Sequence, residues 1–245
     1  YGVHSVAWKT NDQGGHVTHT ALEYLLGQVE NGVCCPLTMT YAVVPALRKN
    51  PELAERFLPK LLSNAYDPRC IPIDEKDSMT MGMAMTEKQG GSDVRANRTK
   101  AKHLDGDIYT LTGHKWFCSA PMSDGFFTLA YTDKGLTCFL VPRFLPDGSK
   151  NRLYIQRLKD KVGNRSNASS ESEYNKTWAV RIGEEGRGAR AADRRDQERH
   201  SQGLREREDL QRLGEGSREG LQGPQRRPFG RQGQAPRAHP RRSSV

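Results

Sequence analysis

The chain changes material near Gly186-Arg187-Gly188, and that break bounds what it can fold into. Residues 187–245 carry 15 Arg, no Lys and 8 acids, whereas residues 1–186 carry 23 Lys and Arg against 21 Asp and Glu. Most of the net charge of +9 therefore belongs to the last quarter. After Gly188 there is no Ile, Met, Trp, Tyr or Cys. Such a segment cannot bury enough apolar surface to offset the entropy of ordering it. A packed core must come from residues 1–188, and the segment after them is expected to be a disordered tail.

Within 1–188 the hydrophobic period changes once. In HVTHTALEYLLGQVENG, Val17, Ala21, Leu25 and Val29 follow helical spacing, and Asn31-Gly32 supplies a stop. Asn50-Pro51-Glu52 reads as an N-cap, a first-turn proline and a first-turn acid ahead of an apolar face of Leu53, Phe57 and Leu61. The intervening LTMTYAVVPAL is apolar enough for one buried helix. After Pro72 come short runs rich in aromatic and β-branched residues: TMGMAMTE, DIYTLTG, HKWFCSA, GFFTLAYT and GLTCFLVP. Leu104-Asp105-Gly106-Asp107 and Thr132-Asp133-Lys134-Gly135 have the composition of hairpin turns. The expectation is α+β: an N-terminal helical segment over 1–75, a β-domain over 76–188 and a tail over 189–245.

The first strand of that β-domain runs into MAMTEKQGGSD, residues 83–93. Two adjacent glycines weaken a strand and add no packing, so the backbone there must turn sharply or come close to something. Backbone N–H groups between a Thr and a Ser could cradle an anionic or hydrogen-bonding cofactor. A plain glycine-containing turn explains the same residues, and the stretch alone leaves both readings open.

Other chemistry is thin. The five cysteines (34, 35, 70, 118 and 138) form no C-x-x-C and no zinc spacing. Their odd number and apolar surroundings suit reduced thiols in an intracellular protein, the cytoplasm or an organelle. Cys34-Cys35 reads as two buried small residues, since adjacent cysteines rarely bridge. His16, His19 and His114 have no partner nearby in sequence and receive no role. No apolar run approaches the roughly 18 residues of a membrane span.

Taken in order, GVCCPLTMTYAVVPAL (32–47), MTEKQGGSDVRAN (85–97), TGHKWFCSAPMSD (112–124), CFLVPRFLPDG (138–148), RLKDKVGNRSNASSE (157–171) and GEEGRG (183–188) resemble the acyl-CoA dehydrogenase flavoprotein family, in its AidB-type branch. The resemblance covers residues 16–188. It implies that 76–188 is the family's middle β-barrel or sandwich domain, which covers one side of FAD. Met83, Ala84, Met85, Thr86, Glu87, Lys88, Gln89, Gly90, Gly91 and Ser92 would form the wall over the flavin, with the Thr86 hydroxyl bonding to the ring. Phe117, Cys118 and Ser119 would pack at its edge. By itself the sequence allows a simpler view, in which Trp116 and Phe117 are alternating strand residues, one of them core. Ser92 would also reach an acyl-CoA substrate, from which the family removes an α-proton and a β-hydride. No metal is implied.

In the family GEEGRG opens a C-terminal helical bundle that supplies the glutamate base, further FAD contacts and the main surface for homo-oligomers. Residues 189–245 do not resemble it. Arg without Lys, among Gly, Ala, Pro and Gln, is what GC-rich codons give out of frame. Synonymous codons for Ser217–Ser244, read one nucleotide later, permit an amphipathic helical sequence. The expectation is a truncated chain with a frameshifted or mis-spliced tail, without a catalytic base. The alternative is a non-enzymatic binding module whose basic tail contacts nucleic acid or other polyanions. Its interspersed acids, its lone aromatic Phe229 and the lack of an RGG array weigh against that.

Overall fold

The computed structural model describes residues 1–10 and 14–188. They lie in one compact unit spanning Tyr1–Gln197. Everything expected of the tail lies outside the described residues. Five α-helices come first: α1 (Val6–Lys9), α2 (Gly15–Val29), α3 (Cys34–Ala42), α4 (Val44–Leu47) and α5 (Pro51–Leu61). Seven strands follow: β1 (Met81–Ala84), β2 (Lys100–Asp105), β3 (Ile108–Ser119), β4 (Gly125–Thr132), β5 (Gly135–Pro142), β6 (Leu153–Leu158) and β7 (Ser169–Ile182).

The start signal of α5 works as its sequence implies. Asn50 Oδ1 accepts from the Leu53 amide at 3.1 Å, Pro51 opens the first turn, and Leu53, Phe57 and Leu61 are buried. The single buried helix expected over 37–47 is instead α3 and α4, broken at Val43. Pro45 stands in the first turn of α4; lacking an N–H, it cannot continue the α3 ladder. The apolar face read into α2 is not buried. Val17 and Leu25 are exposed, as is Val29 at 85%, while the helix packs through His19, stacked on Tyr41 at 3.7 Å. Helical spacing marked a coherent stripe, but nothing among the described residues covers it.

The sheet curls on itself. β4 pairs with β5, β5 with β7, β7 with β3 and β3 with β2, all antiparallel; β2 returns to β4 through Lys100 and Tyr131. β1 runs parallel to the first half of β4, and β6 lies against β7. Both expected hairpin turns are present, joining β2 to β3 and β4 to β5. The runs expected as two strands around Gly113-His114 are one strand, β3. Gly113 allows this: a Cβ there would fall 2.7 Å from the Cα of Thr99, so only glycine lets the chains cross.

Alternation along β4 and β5 fills two cores. Phe126, Ala130, Phe139 and Val141 point into the curled sheet with Tyr109, Leu111, Tyr174 and Ala179. Phe127, Leu129, Cys138 and Leu140 point outward, against Val43, Val44, Leu47, Phe57 and Leu61 of the helices. Strands buried on both faces read as continuous apolar runs, which is why GFFTLAYT and GLTCFLVP stood out. The connection 62–80 is pinned by polar contacts. Lys60 Nζ donates to the carbonyls of Ile73, Asp74 and Lys76, and the buried Lys76 ammonium sits 2.6 Å from Asp124. All five cysteines are free thiols; Cys34 and Cys35 are only half-buried, at the start of α3 rather than in its packed middle. No described helix is long and apolar enough to cross a membrane.

Candidate functional site

Two chain segments meet where β1 ends. The turn after β1 carries Met85 to Ser92, and the last third of β3 carries Trp116 to Ser119. Thr86 pairs with Phe117 in an antiparallel bridge, and the Trp116 amide donates to the Thr86 carbonyl at 2.9 Å. A hydroxyl from one segment is thereby set beside an aromatic side chain from the other.

The turn needs its glycines for different reasons. Gly90 has φ of 141° and closes the turn by donating its amide to the Glu87 carbonyl at 3.0 Å; a Cβ on it would meet nothing within 4 Å. Gly91 is a close approach: a Cβ there would lie 2.8 Å from Thr86 Oγ1. The neighbour that excludes a side chain is Thr86, so Gly91 leaves the Thr86 side chain its room.

Of the residues picked out in sequence, only some offer side chains to the outside. Ser92, Lys88 and Gln89 are exposed, Thr86 and Ser119 are half-buried, and Phe117 is 40% exposed. Ser119 Oγ is 3.1 Å from Ser169 Oγ. Ala84 and Cys118 point into the curled sheet, and burial pushes the Cys118 thiol upward, so it stays protonated. Met83 and Met85 pack toward the helices. Neither Trp116 nor Phe117 is core. A bulge between Lys115 and Cys118 breaks strict alternation there.

Glu87 is 3% exposed, and its carboxylate is saturated. It accepts from the Arg98 amide at 2.6 Å, the Thr99 amide and hydroxyl at 3.1 and 2.6 Å, Gln89 Nε2 at 3.0 Å and Lys115 Nζ at 2.9 Å. Burial alone would raise its pKa; the hydrogen bonds from Thr99 and Gln89, the Lys115 charge and the Arg98 amide outweigh it and hold the carboxyl at about 2. Lys115 is fully buried and also donates to the Leu129 carbonyl at 2.8 Å. Asp93, the other acid of the turn, caps the following 3-10 turn by accepting from the Arg95 amide. Glu87 is not free to act as a base.

The sequence reading missed the cations around Trp116. Lys159 Nζ lies 3.1 Å from the centre of its ring and 4.7 Å from that of Phe117, with Lys88 and Arg157 within 6 Å of Trp116. Lys159 and Arg157 share the Glu171 carboxylate. Lys115 was missed too, although it had a signal. Tyr109 and Leu111 face inward, and a lysine four residues on in the same strand demands a buried acid.

The residues present fit a flavin. The surface joins the exposed Phe117 ring and the Ser119 hydroxyl at the end of β3 to the hydroxyls of Thr86 and Ser92 on a turn kept free of side chains at Gly90 and Gly91. Among the described residues no group of His, Cys, Asp and Glu could hold a metal ion.

Comparison with known proteins agrees with this architecture. Residues 1–68 match the family described as the adaptive response protein AidB N-terminal domain, and residues 82–177 match the acyl-CoA dehydrogenase middle domain. The chain is 47% identical over 190 residues to the acyl-CoA dehydrogenase-type protein AidB of Escherichia coli, covering 77% of this chain and 35% of that protein. It is 35% identical over 167 residues to acyl-CoA dehydrogenase family member 11 of Caenorhabditis elegans, covering 64% and 26%. Among solved structures, an acyl-CoA dehydrogenase of Caenorhabditis elegans crystallised with an eleven-carbon CoA ligand superposes with a TM-score of 0.67 at 31% identity, over 78% of this chain and 34% of that one. Butyryl-CoA dehydrogenase from Megasphaera elsdenii shares the fold, with a TM-score of 0.62 at 20% identity over 78% and 50%. The chain spans about a third of the length of the curated relatives it matches.

Proposed function

From a chain that belongs to the acyl-CoA dehydrogenase family, through its AidB-type N-terminal domain and its middle domain, we propose that the Thr86–Ser92 turn and Trp116–Ser119 form the surface against which FAD is held. FAD, when bound, supplies the two-electron acceptor for α,β-dehydrogenation of an acyl-CoA thioester. The chain's own residues bind and orient. Thr86 and Ser119 offer hydroxyls to the polar edge of the ring, Phe117 packs against its apolar part, and Ser92 reaches phosphate or the acyl-CoA. The bridge between Thr86 and Phe117 would set the Thr86 hydroxyl at the ring, where a hydroxyl would stabilise negative charge on the reduced cofactor.

That bridge, which sets a hydroxyl beside an exposed aromatic ring, is the observation that carries the reading. Glu87 is saturated by its donors, and the exposed Asp93 caps the 3-10 turn that follows. The function proposed for residues 1–188 is flavin binding within such an enzyme. The test is to incubate the purified chain with FAD, desalt it and record the visible spectrum. A retained flavin band that is lost in Thr86→Val/Ser92→Ala supports the reading. A colourless protein, or a band indifferent to those substitutions, refutes it.

A further inference from the structure

We infer that the buried Glu87–Lys115 pair is the positioning device of this surface, holding the turn 86–92 and the strand end 116–119 as one rigid unit. The inference rests on the reading above for what the surface holds. Three observations on this chain carry it.

First, each partner is next in sequence to a surface residue. Glu87 follows Thr86, and Lys115 precedes Trp116 and Phe117. The 2.9 Å contact between the pair therefore runs directly beneath the bridge between Thr86 and Phe117. Second, Glu87 gathers donors from separate stretches that all border the surface: Gln89 inside the turn, Arg98 and Thr99 where the chain enters β2, and Lys115 on β3. Third, Lys115 fixes the pair to the sheet through the Leu129 carbonyl on β4. Apolar side chains of the same size would fill the space equally well, but they would set no direction. Directional hydrogen bonds from four places fix where the turn stands relative to the strand.

A second buried pair, outside the contacts of Glu87 and Lys115, serves as a control in the same molecule. Lys76 and Asp124 are buried as deeply, and they tie the 62–80 connection to the residue just before β4. The experiment compares the full chain with Glu87→Gln/Lys115→Met and with Lys76→Met/Asp124→Asn, using FAD as the probe and amide hydrogen exchange on the protein. Glu87→Gln alone serves as a second variant: it keeps size and an acceptor oxygen but strands the buried Lys115 ammonium, so its folding is checked first by circular dichroism.

In folded Glu87→Gln/Lys115→Met the expected result is at least about tenfold weaker FAD binding, or about 1.4 kcal/mol. The bound flavin band should shift toward that of free FAD, and exchange should quicken in 86–92 and 116–119 together. Folded Glu87→Gln should show the same changes, and the control pair should show none of them. Binding, spectrum and exchange like those of the unsubstituted chain would overturn the inference. So would faster exchange in only one of the two segments, or the same effects in the control. If the unsubstituted chain takes up no FAD, the proposed function fails, and the exchange comparison alone decides the positioning role.

Discussion

Replacing Lys115 by Met leaves the Glu87 carboxylate buried without its counter-ion, and the cost is that of a stranded, desolvated charge. Removing one partner of a buried pair typically costs about 3–5 kcal/mol, because the remaining charge stays desolvated. Despite burial, the Glu87 carboxyl, ordinarily at 4.5, is held at about 2 by the hydrogen bonds from Thr99 and Gln89 first, then by the Lys115 charge and the Arg98 amide. At about 1.4 kcal/mol per pH unit, the whole set of contacts is worth roughly 3 kcal/mol in favour of the folded chain, of which Lys115 supplies a part. The sign is that of a depressed carboxylate: the stabilisation is complete above pH 4.5 and is lost as pH falls toward 2. Lys115→Met should therefore cost about 3 kcal/mol at pH 7, a large part of a typical 5–15 kcal/mol total. The penalty should shrink below about pH 4.5, where the variant's carboxyl protonates before that of the parent chain. Urea melts followed by circular dichroism at several pH values measure this, with Glu87→Gln/Lys115→Met recovering most of the loss. A penalty below about 1 kcal/mol, the level of an exposed pair, would refute the reasoning. So would a penalty unchanged between neutral and acid pH.

Three further outcomes follow from the same structure. Asn50→Ala should cost about 1 kcal/mol by removing the cap of α5, seen as a lowered melting temperature with unchanged FAD binding. Gly91→Ala should disturb the site far more than the fold, because the added methyl lands on Thr86 Oγ1; FAD titration should weaken while the melting temperature moves little. Asp124→Asn should cost about 3 kcal/mol, since it strands the buried Lys76 ammonium, and calorimetry would record it.

The sequence made the two layers legible through the change of period after Pro72 and through caps such as Asn50-Pro51-Glu52. It concealed β2, β6 and much of β7. β2 and β6 carry almost wholly exposed side chains, and KAKHLD and LYIQRL have no apolar alternation to read. The α2 stripe misled for the converse reason: spacing reports an apolar face, and whether anything covers it is a tertiary fact. At the site, the glycines and hydroxyls of MTEKQGGSD announced a special backbone. The role of Gly91 against Thr86, and the fastening of Glu87 by residues 11 to 28 positions away, depend on strand pairing that no local pattern encodes.

The central claim is that one continuous surface, built from two segments distant in sequence, receives a flavin. Amide hydrogen exchange of the full chain with and without FAD tests it most directly. The account expects protection in residues 86–92 and in 117–119 at the same FAD concentration, with the helices unchanged. Protection confined to one segment, spread over the helices, or absent at saturating FAD would contradict it.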